Sequence, residues 1–334
     1  MTVPPGDRLR SIVLGGAERY TREEMASAAR LKLEDIARLW RAMGFADVGD
    51  ARAFTDADLS AVLRVASLLE RDLVDMEGLT DIARSMGQTT SRLADWEIDT
   101  LGRHVVQAGA QADSTETPGP GEDLAELLPE LEQLLIYVWR RQLAASVGRL
   151  LDHQPTQAGD TDSGGVTEAT TATVGFADLV SFTRLSRQLD DTELTAVVQA
   201  FESDSADIIH AASARLVKTL GDEVMFVSDG AEQAAAIALN LHRTHNANDD
   251  LPQIRVGLAT GAVLNRMGDV FGVTVNRASR FTALARPGTT VLDSATAEVL
   301  NDTSETVFTV RSLTPRPVRG LGIVRPHALV DPTT

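Results

Sequence analysis

The chain has 334 residues, 43% of them hydrophobic and 24% charged, with a formal net charge of −17. That apolar content excludes a disordered chain, the length suggests two domains of about 150 residues each, and the acidity argues against a nucleic-acid partner. Cysteine is absent, which excludes disulfides, thiolate metal sites and a cysteine nucleophile, and fits a reducing compartment.

The longest apolar run, Leu134 to Trp139, is far short of the roughly 20 residues that cross a bilayer. No transmembrane segment is therefore expected. Residues 1–7 lack the basic and apolar regions of a signal peptide, so the expected location is cytoplasmic. Residues 1–165 carry 17 basic and 28 acidic side chains, so −11 of the charge belongs to the first half. Of the 31 basic residues only Lys32 and Lys218 are lysines. A chain that uses arginine almost everywhere keeps an ammonium where the chemistry asks for one.

The first half reads as helical. Thr21-Arg22-Glu23-Glu24 is a capping box, and Leu33, Ile36, Leu39 and Trp40 follow at helical spacing up to Gly44. Thr55 to Asp58 forms a second cap, ahead of Leu59, Val62, Leu63, Ala66 and Leu69. A stripe of Leu127, Leu131, Leu134, Leu135, Val138, Leu143, Val147 and Leu150 predicts a long helix packed against another surface. Residues 114–121 read as a loop within this half. Residues 154–170, with Gly164-Gly165, read as the boundary. The expected domains are an all-α domain over 1–152, a linker over 153–171 and an α+β domain over 172–334.

Beyond the boundary, strands alternate with helices. Thr173 to Ala177 predicts a strand, with Asp178 directly after it. Leu194 to Ile209 predicts a helix, Arg215–Leu220 and Glu223–Ser228 a hairpin turning at Gly221-Asp222, and Ala231 to His245 a further helix. A second hairpin is expected between Ile254–Ala259 and Val263–Met267, turning at Gly261. This order suggests helices over a largely antiparallel sheet.

Asp178 and Asp222 stand at strand ends and could share Mg²⁺, which favours one or two carboxylates completed by water and phosphate oxygens. Aspartate is also a common turn residue. In the run from Asp269 to Arg280, Asn276 and Arg280 are four apart and share one helix face, a plausible clamp for a phosphoryl group gaining charge.

Three blocks carry a resemblance: Phe176 to Thr183, Lys218 to Met225, and Asp269 to Arg280. In this order and spacing, residues 172–330 resemble the class III nucleotidyl cyclases, whose catalytic domain is a ferredoxin-like, palm-type α+β sandwich. The resemblance implies that Asp178, Asp222 and the backbone carbonyl of Leu179 bind two Mg²⁺ or Mn²⁺ ions per site. It implies that Lys218 and Asp269 read the purine, that Asn276 and Arg280 stabilise the transition state, and that Arg266 and Arg319 bind phosphates. It also implies conversion of ATP to cyclic AMP and pyrophosphate in a homodimer with shared active sites.

An ammonium donor beside a carboxylate acceptor complements N1 and N6 of adenine and mismatches guanine, which favours ATP over GTP. Arg277 departs from the family, which usually has a small or apolar residue there. A catalytically silent nucleotide-binding module and a guanylyl or diguanylate cyclase are the alternatives. The intact polar set argues against the first, and the Asp269–Arg280 block against the diguanylate cyclases.

Residues 17–150 resemble the helical regulatory domain of pH-responsive actinobacterial adenylyl cyclases. The residues that carry this are Tyr20 to Ala26, Arg38 to Phe45, Phe54 to Asp58 and Arg92 to Trp96. A winged-helix DNA module is disfavoured by the acidity of this half. Histidine titrates near neutrality, so His104 and His153 are the candidate proton sensors, with a lipid as the competing input.

Overall fold

The computed structural model describes residues 5–111, 120–152, 170–248, 251–266, 268–302 and 308–331. The chain divides into two units, Met1–Gly159 and Asp160–Thr334.

The first unit is helical: α1 (Pro5–Val13), α2 (Arg22–Ala29), α3 (Leu33–Ala42), α4 (Asp56–Glu70), α5 (Met76–Gln111) and α6 (Pro120–Asp152). Both expected caps form. The Thr21 hydroxyl accepts from Glu24 N at 3.2 Å while the Glu24 carboxylate accepts from Thr21 N at 2.9 Å, and Thr55 and Asp58 repeat the motif. The apolar run up to Gly44 is two helices, because Arg30 takes a left-handed φ of 55° and ends α2. Met25, Ala26, Ile36 and Phe54 form the core, with Trp40 packed against it and its indole N–H bonded to Ala46 O at 2.7 Å. Beside them lies an apolar cavity of about 290 Å³, lined by Met25, Leu39, Trp40, Val65, Leu79 and Met86 among others.

Of the stripe on α6, Leu127, Leu134, Leu135, Val138, Leu143 and Val147 are exposed, Leu131 is partly buried, and the side chain of Leu150 lies outside the described residues. Leu134, Leu135, Ile136, Tyr137, Val138 and Trp139 are all exposed. At about 100° per residue, six consecutive side chains encircle the helix. His104 falls on α5, but its side chain lies outside the described residues, as does His153 entirely, together with the segment expected as linker up to residue 169.

The second unit opens β1 (Thr170–Leu179), α7 (Phe182–Leu185), α8 (Asp191–Ala211), β2 (Arg215–Thr219), β3 (Glu223–Ser228), α9 (Ala231–Asn246) and β4 (Ile254–Arg266). Next come β5 (Asp269–Phe271), α10 (Val273–Leu284), β6 (Thr290–Leu292) and α11 (Ser294–Asp302). The unit closes with β7 (Thr309–Ser312), β8 (Arg316–Val318), β9 (Gly322–Val324) and β10 (His327–Val330). The sheet order is β2-β3-β1-β4-β6-β10-β7, with β5 paired to β4 and β8-β9 as a separate ribbon. All pairs are antiparallel except β4–β6. The leading β1-α8-β2-β3-α9-β4 is the split βαβ of a ferredoxin-like sandwich, as the sequence suggests.

Side chains alternate across the sheet. Ala177, Leu179, Val224 and Phe226 pack with Phe201 of α8 and the buried alanines of α9, while Val174, Phe176 and Met225 pack with Ala278 of α10. Burying each large side chain contributes about 1.5–3 kcal/mol. Two expectations need correction. Asp178 lies inside β1 rather than after it. Gly261 does not turn: β4 runs through it to Arg266, and β5 pairs back antiparallel from Asp269. Gly261 serves close packing instead, since a Cβ there would stand 2.8 Å from Thr274 Oγ1.

His242 and His245 of α9 are buried, and each has one ring nitrogen without a hydrogen-bond partner among the described residues. Burial, reinforced by the charge of His245, lowers His242 from 6.5 to about 4, and burial lowers His245 as well. An unfolded chain takes up these protons near pH 6.5 and the fold resists them. Their contribution to stability is whole above pH 6.5 and is lost as pH falls toward 4, amounting to about 3 kcal/mol for His242. Thermal unfolding should therefore come at clearly lower temperature at pH 5 than at pH 7. The gap should narrow in His242→Gln, and an unchanged gap would refute the assignment.

Candidate active site

One rung of the sheet carries a line of charge. Glu223 on β3, Asp178 on β1 and Arg255 on β4 are direct cross-strand partners, so their side chains share a face. Nε of Arg255 donates to Asp178 Oδ2, and Nη2 forms an ion pair with the same oxygen. Asp222 joins them at the hairpin, its carbonyl accepting from Leu179 N at 2.8 Å. Asp178 is 8% exposed. Burial raises its pKa, Arg255 opposes this, and the Asp222 charge adds to the rise. Glu223 is pushed up to about 7 by burial and by the charges of Asp178 and Asp222.

Three carboxyls thus crowd together against one guanidinium, and the surplus negative charge suits a divalent cation. Among the described residues no group of three or more acidic or histidine side chains is set to hold a metal by itself. The donor set fits a site of two carboxylates and a backbone carbonyl that nucleotide phosphates complete.

Lys218 and Asp269 meet through Nζ and Oδ2 at 2.6 Å. A register shift between Leu216 and Lys218 in β2 accounts for the placement, since a bulge re-aims the side chain beside it. Arg215, on the same strand, reaches the β4–β5 hairpin that carries Asp269. Its Nη1 donates to Gly268 O and its Nη2 to Asn265 Oδ1, each at 3.0 Å.

Asn276 and Arg280 lie on one exposed face of α10. Arg277, between them, turns away, its Nη1 donating to the buried Asp293 at 2.7 Å. Arg266 is exposed at the end of β4, opposite Asp269. Arg319 is exposed in the turn between β8 and β9. Among the described residues, no hydrogen bond or ion pair within one chain links Asn276 or Arg280, or the Lys218–Asp269 pair, to the carboxylate rung. Glu223 and Arg255 are the site residues that sequence reasoning missed. The available signal was an arginine inside the apolar strand Ile254-Arg255-Val256, since a charge buried in a strand calls for a partner.

Helix α10 sits hard against β4. A Cβ on Gly257 would stand 2.1 Å from Thr282 N and 2.5 Å from Ala278 O, both backbone atoms of the helix. Gly257→Ala should push α10 off the sheet, cost about 3 kcal/mol or more, and lower the unfolding temperature measured by circular dichroism. An unchanged melting curve would show that the helix can yield.

The sequence model of the family described as "Adenylate and Guanylate cyclase catalytic domain" matches residues 166–330. An adenylate cyclase of Streptomyces coelicolor is 43% identical across 96% of this chain and 88% of its own length. One from Streptomyces griseus is 44% identical across 90% and 74%. A pH-sensitive adenylate cyclase of Mycobacterium tuberculosis is 28% identical across 89% and 74%. The chain belongs to the class III nucleotidyl cyclases. Among the described residues, no helix is long and apolar enough to cross a membrane.

Proposed function

We propose that this chain is an adenylate cyclase that converts ATP to 3′,5′-cyclic AMP and pyrophosphate, in sites shared by two copies of the chain and controlled by the helical unit. The contact of Lys218 with Asp269 at 2.6 Å carries the choice of ATP. A donor and an acceptor stand ready side by side, and adenine offers the complementary acceptor at N1 and donor at N6.

In this reading the ribose 3′ hydroxyl gives up its proton to solvent and its oxygen attacks the α-phosphorus. The new O–P bond forms as the bond to the β-phosphate oxygen breaks, and pyrophosphate leaves with the electron pair. Asp178, Asp222 and the Leu179 carbonyl would hold two divalent ions, which would lower the cost of negative charge on the 3′ oxygen and the phosphates. Arg255 opposes the rise that burial imposes on the Asp178 pKa and places a cation where phosphate oxygens arrive. Asn276 orients the ribose, and Arg280 meets the charge growing on the α-phosphoryl oxygens. Arg266 and Arg319 add positive charge toward the triphosphate.

Two features support the assembly. Asn276 and Arg280 face solvent, free to serve a second copy. The exposed apolar girdle of residues 134–139 on α6 suits a segment enclosed by a partner. For control, the apolar cavity among α2, α3, α4 and α5 suits a lipid chain, and His104 and His153 are the proton-sensing candidates. The test is purified protein with Mg²⁺ or Mn²⁺ and either ATP or GTP, with the products resolved by chromatography. Cyclic AMP and pyrophosphate from ATP are expected. No product from either nucleotide would leave a silent binding module, and cyclic GMP or cyclic diguanylate from GTP would reassign the substrate.

A further inference from the structure

Arg277 is one residue from Asn276 and three from Arg280, yet it is held by a different part of the fold. Asp293 lies between β6 and α11 and is 1% exposed. Its Oδ2 accepts from Arg277 Nη1 at 2.7 Å. Its Oδ1 accepts from Thr296 N at 2.9 Å, Thr296 Oγ1 at 2.6 Å and Thr260 N at 3.3 Å. The Thr260 hydroxyl continues the chain to Thr296 Oγ1 at 2.8 Å and to Thr173 Oγ1 at 2.9 Å. The network therefore ties α10 to β1, β4 and the start of α11. Arg277 is the only cation paired with Asp293 among the described residues.

The position of Arg277 on the helix gives this tie a mechanical meaning. Thr274, Ala278, Phe281 and Thr282 are buried and form the stripe on which α10 rests. At about 100° per residue, Arg277 falls on the flank of that stripe, on the same side as Arg280 and about 60° from it. A packed stripe fixes how far the helix stands from the sheet. It resists rolling about its own axis less well, and a strut at the flank supplies that resistance. Roll is the motion that would swing Asn276 and Arg280.

We propose that Arg277 is a positioning residue, whose ion pair with Asp293 fixes the roll of α10 and so aims Asn276 and Arg280. This rests on the roles given to those two residues above. Displacing a catalytic group by about 1 Å can cost on the order of 100-fold in rate. Arg277→Met is therefore expected to lower kcat about 10- to 100-fold with little change in the KM for ATP, while Arg277→Lys, which can still pair with Asp293, recovers most of the rate.

A purely structural role is separated by Arg277→Met combined with Asp293→Asn. The double variant removes both charges and leaves an amide oxygen for the Thr296 and Thr260 donors. Its unfolding temperature should return toward wild type while kcat stays low. Recovery of kcat along with stability in the double variant would overturn the proposal. So would a raised KM at unchanged kcat in Arg277→Met, which would mean direct contact with ATP. Full activity in Arg277→Met alongside an inactive Arg280→Ala would overturn this inference alone. Full activity in Arg280→Ala would overturn the underlying reading instead.

Discussion

Asp222→Ala should lower kcat by about 10³-fold, because ions that neutralise a transferring phosphoryl group supply several kcal/mol and each 1.4 kcal/mol is about tenfold in rate. The loss should come with little change in the unfolding temperature. Asp222 is only half-buried at the tip of a hairpin, and the contact that ties the tip to β1 is made by its backbone carbonyl, which alanine keeps. Asp178→Ala should be equally inactive but also less stable. It leaves Arg255 half-buried in the sheet without its carboxylate, so the positive charge there loses its partner. Activity assays with melting curves on the two variants distinguish a residue that only binds from one that also holds the sheet together. Near-normal turnover in Asp222→Ala would remove the carboxylate pair from the mechanism.

The second large effect concerns the base. A site built to hydrogen-bond a substrate rejects one with the wrong donors and acceptors by about 10⁴-fold. Guanine presents a donor at N1 and an acceptor at O6, the reverse of adenine. Asp269→Ala should lower kcat/KM for ATP by on the order of 100-fold, since it removes one base contact and frees the Lys218 ammonium from its partner. Exchanging the charges in Lys218→Glu with Asp269→Lys should shift the ratio of kcat/KM values toward GTP. If both variants keep the wild-type preference for ATP, the base is read elsewhere. Arg215 bears on the same property, since it holds the β4–β5 hairpin to the strand that carries Lys218.

Much of this site is legible in the sequence because its parts are local. Gly221-Asp222 between two apolar runs marks a hairpin, Lys218 is one of two lysines, and Asn276 and Arg280 share a helix face by spacing alone. What the sequence conceals is register. Asp178 and Arg255 are 77 residues apart, and only the pairing of β1 with β4 puts them opposite each other. Glu223 stands next to Asp222 in sequence, yet its raised pKa comes first from burial in the sheet and then from facing Asp178 across the strand pair. Gly261 misleads as a turn for a physical reason, because glycine serves both tight turns and close packing, and here it makes room for Thr274. Arg30 ends α2 in a left-handed conformation that nothing in its side chain announces. The α6 stripe is plain in the sequence, but its exposure appears only once the helix is seen apart from any partner.

The central claim is that each active site takes its carboxylates from one copy of the chain and its α10 residues from another. Mixing Asp222→Ala with Arg280→Ala protein, each inactive alone, tests it directly. Free exchange of an equal mixture makes half of the dimers mixed, and each of these has one site free of both substitutions, so about one quarter of wild-type specific activity is predicted. No recovery at any mixing ratio, with exchange verified by differently tagged copies, would contradict the shared site.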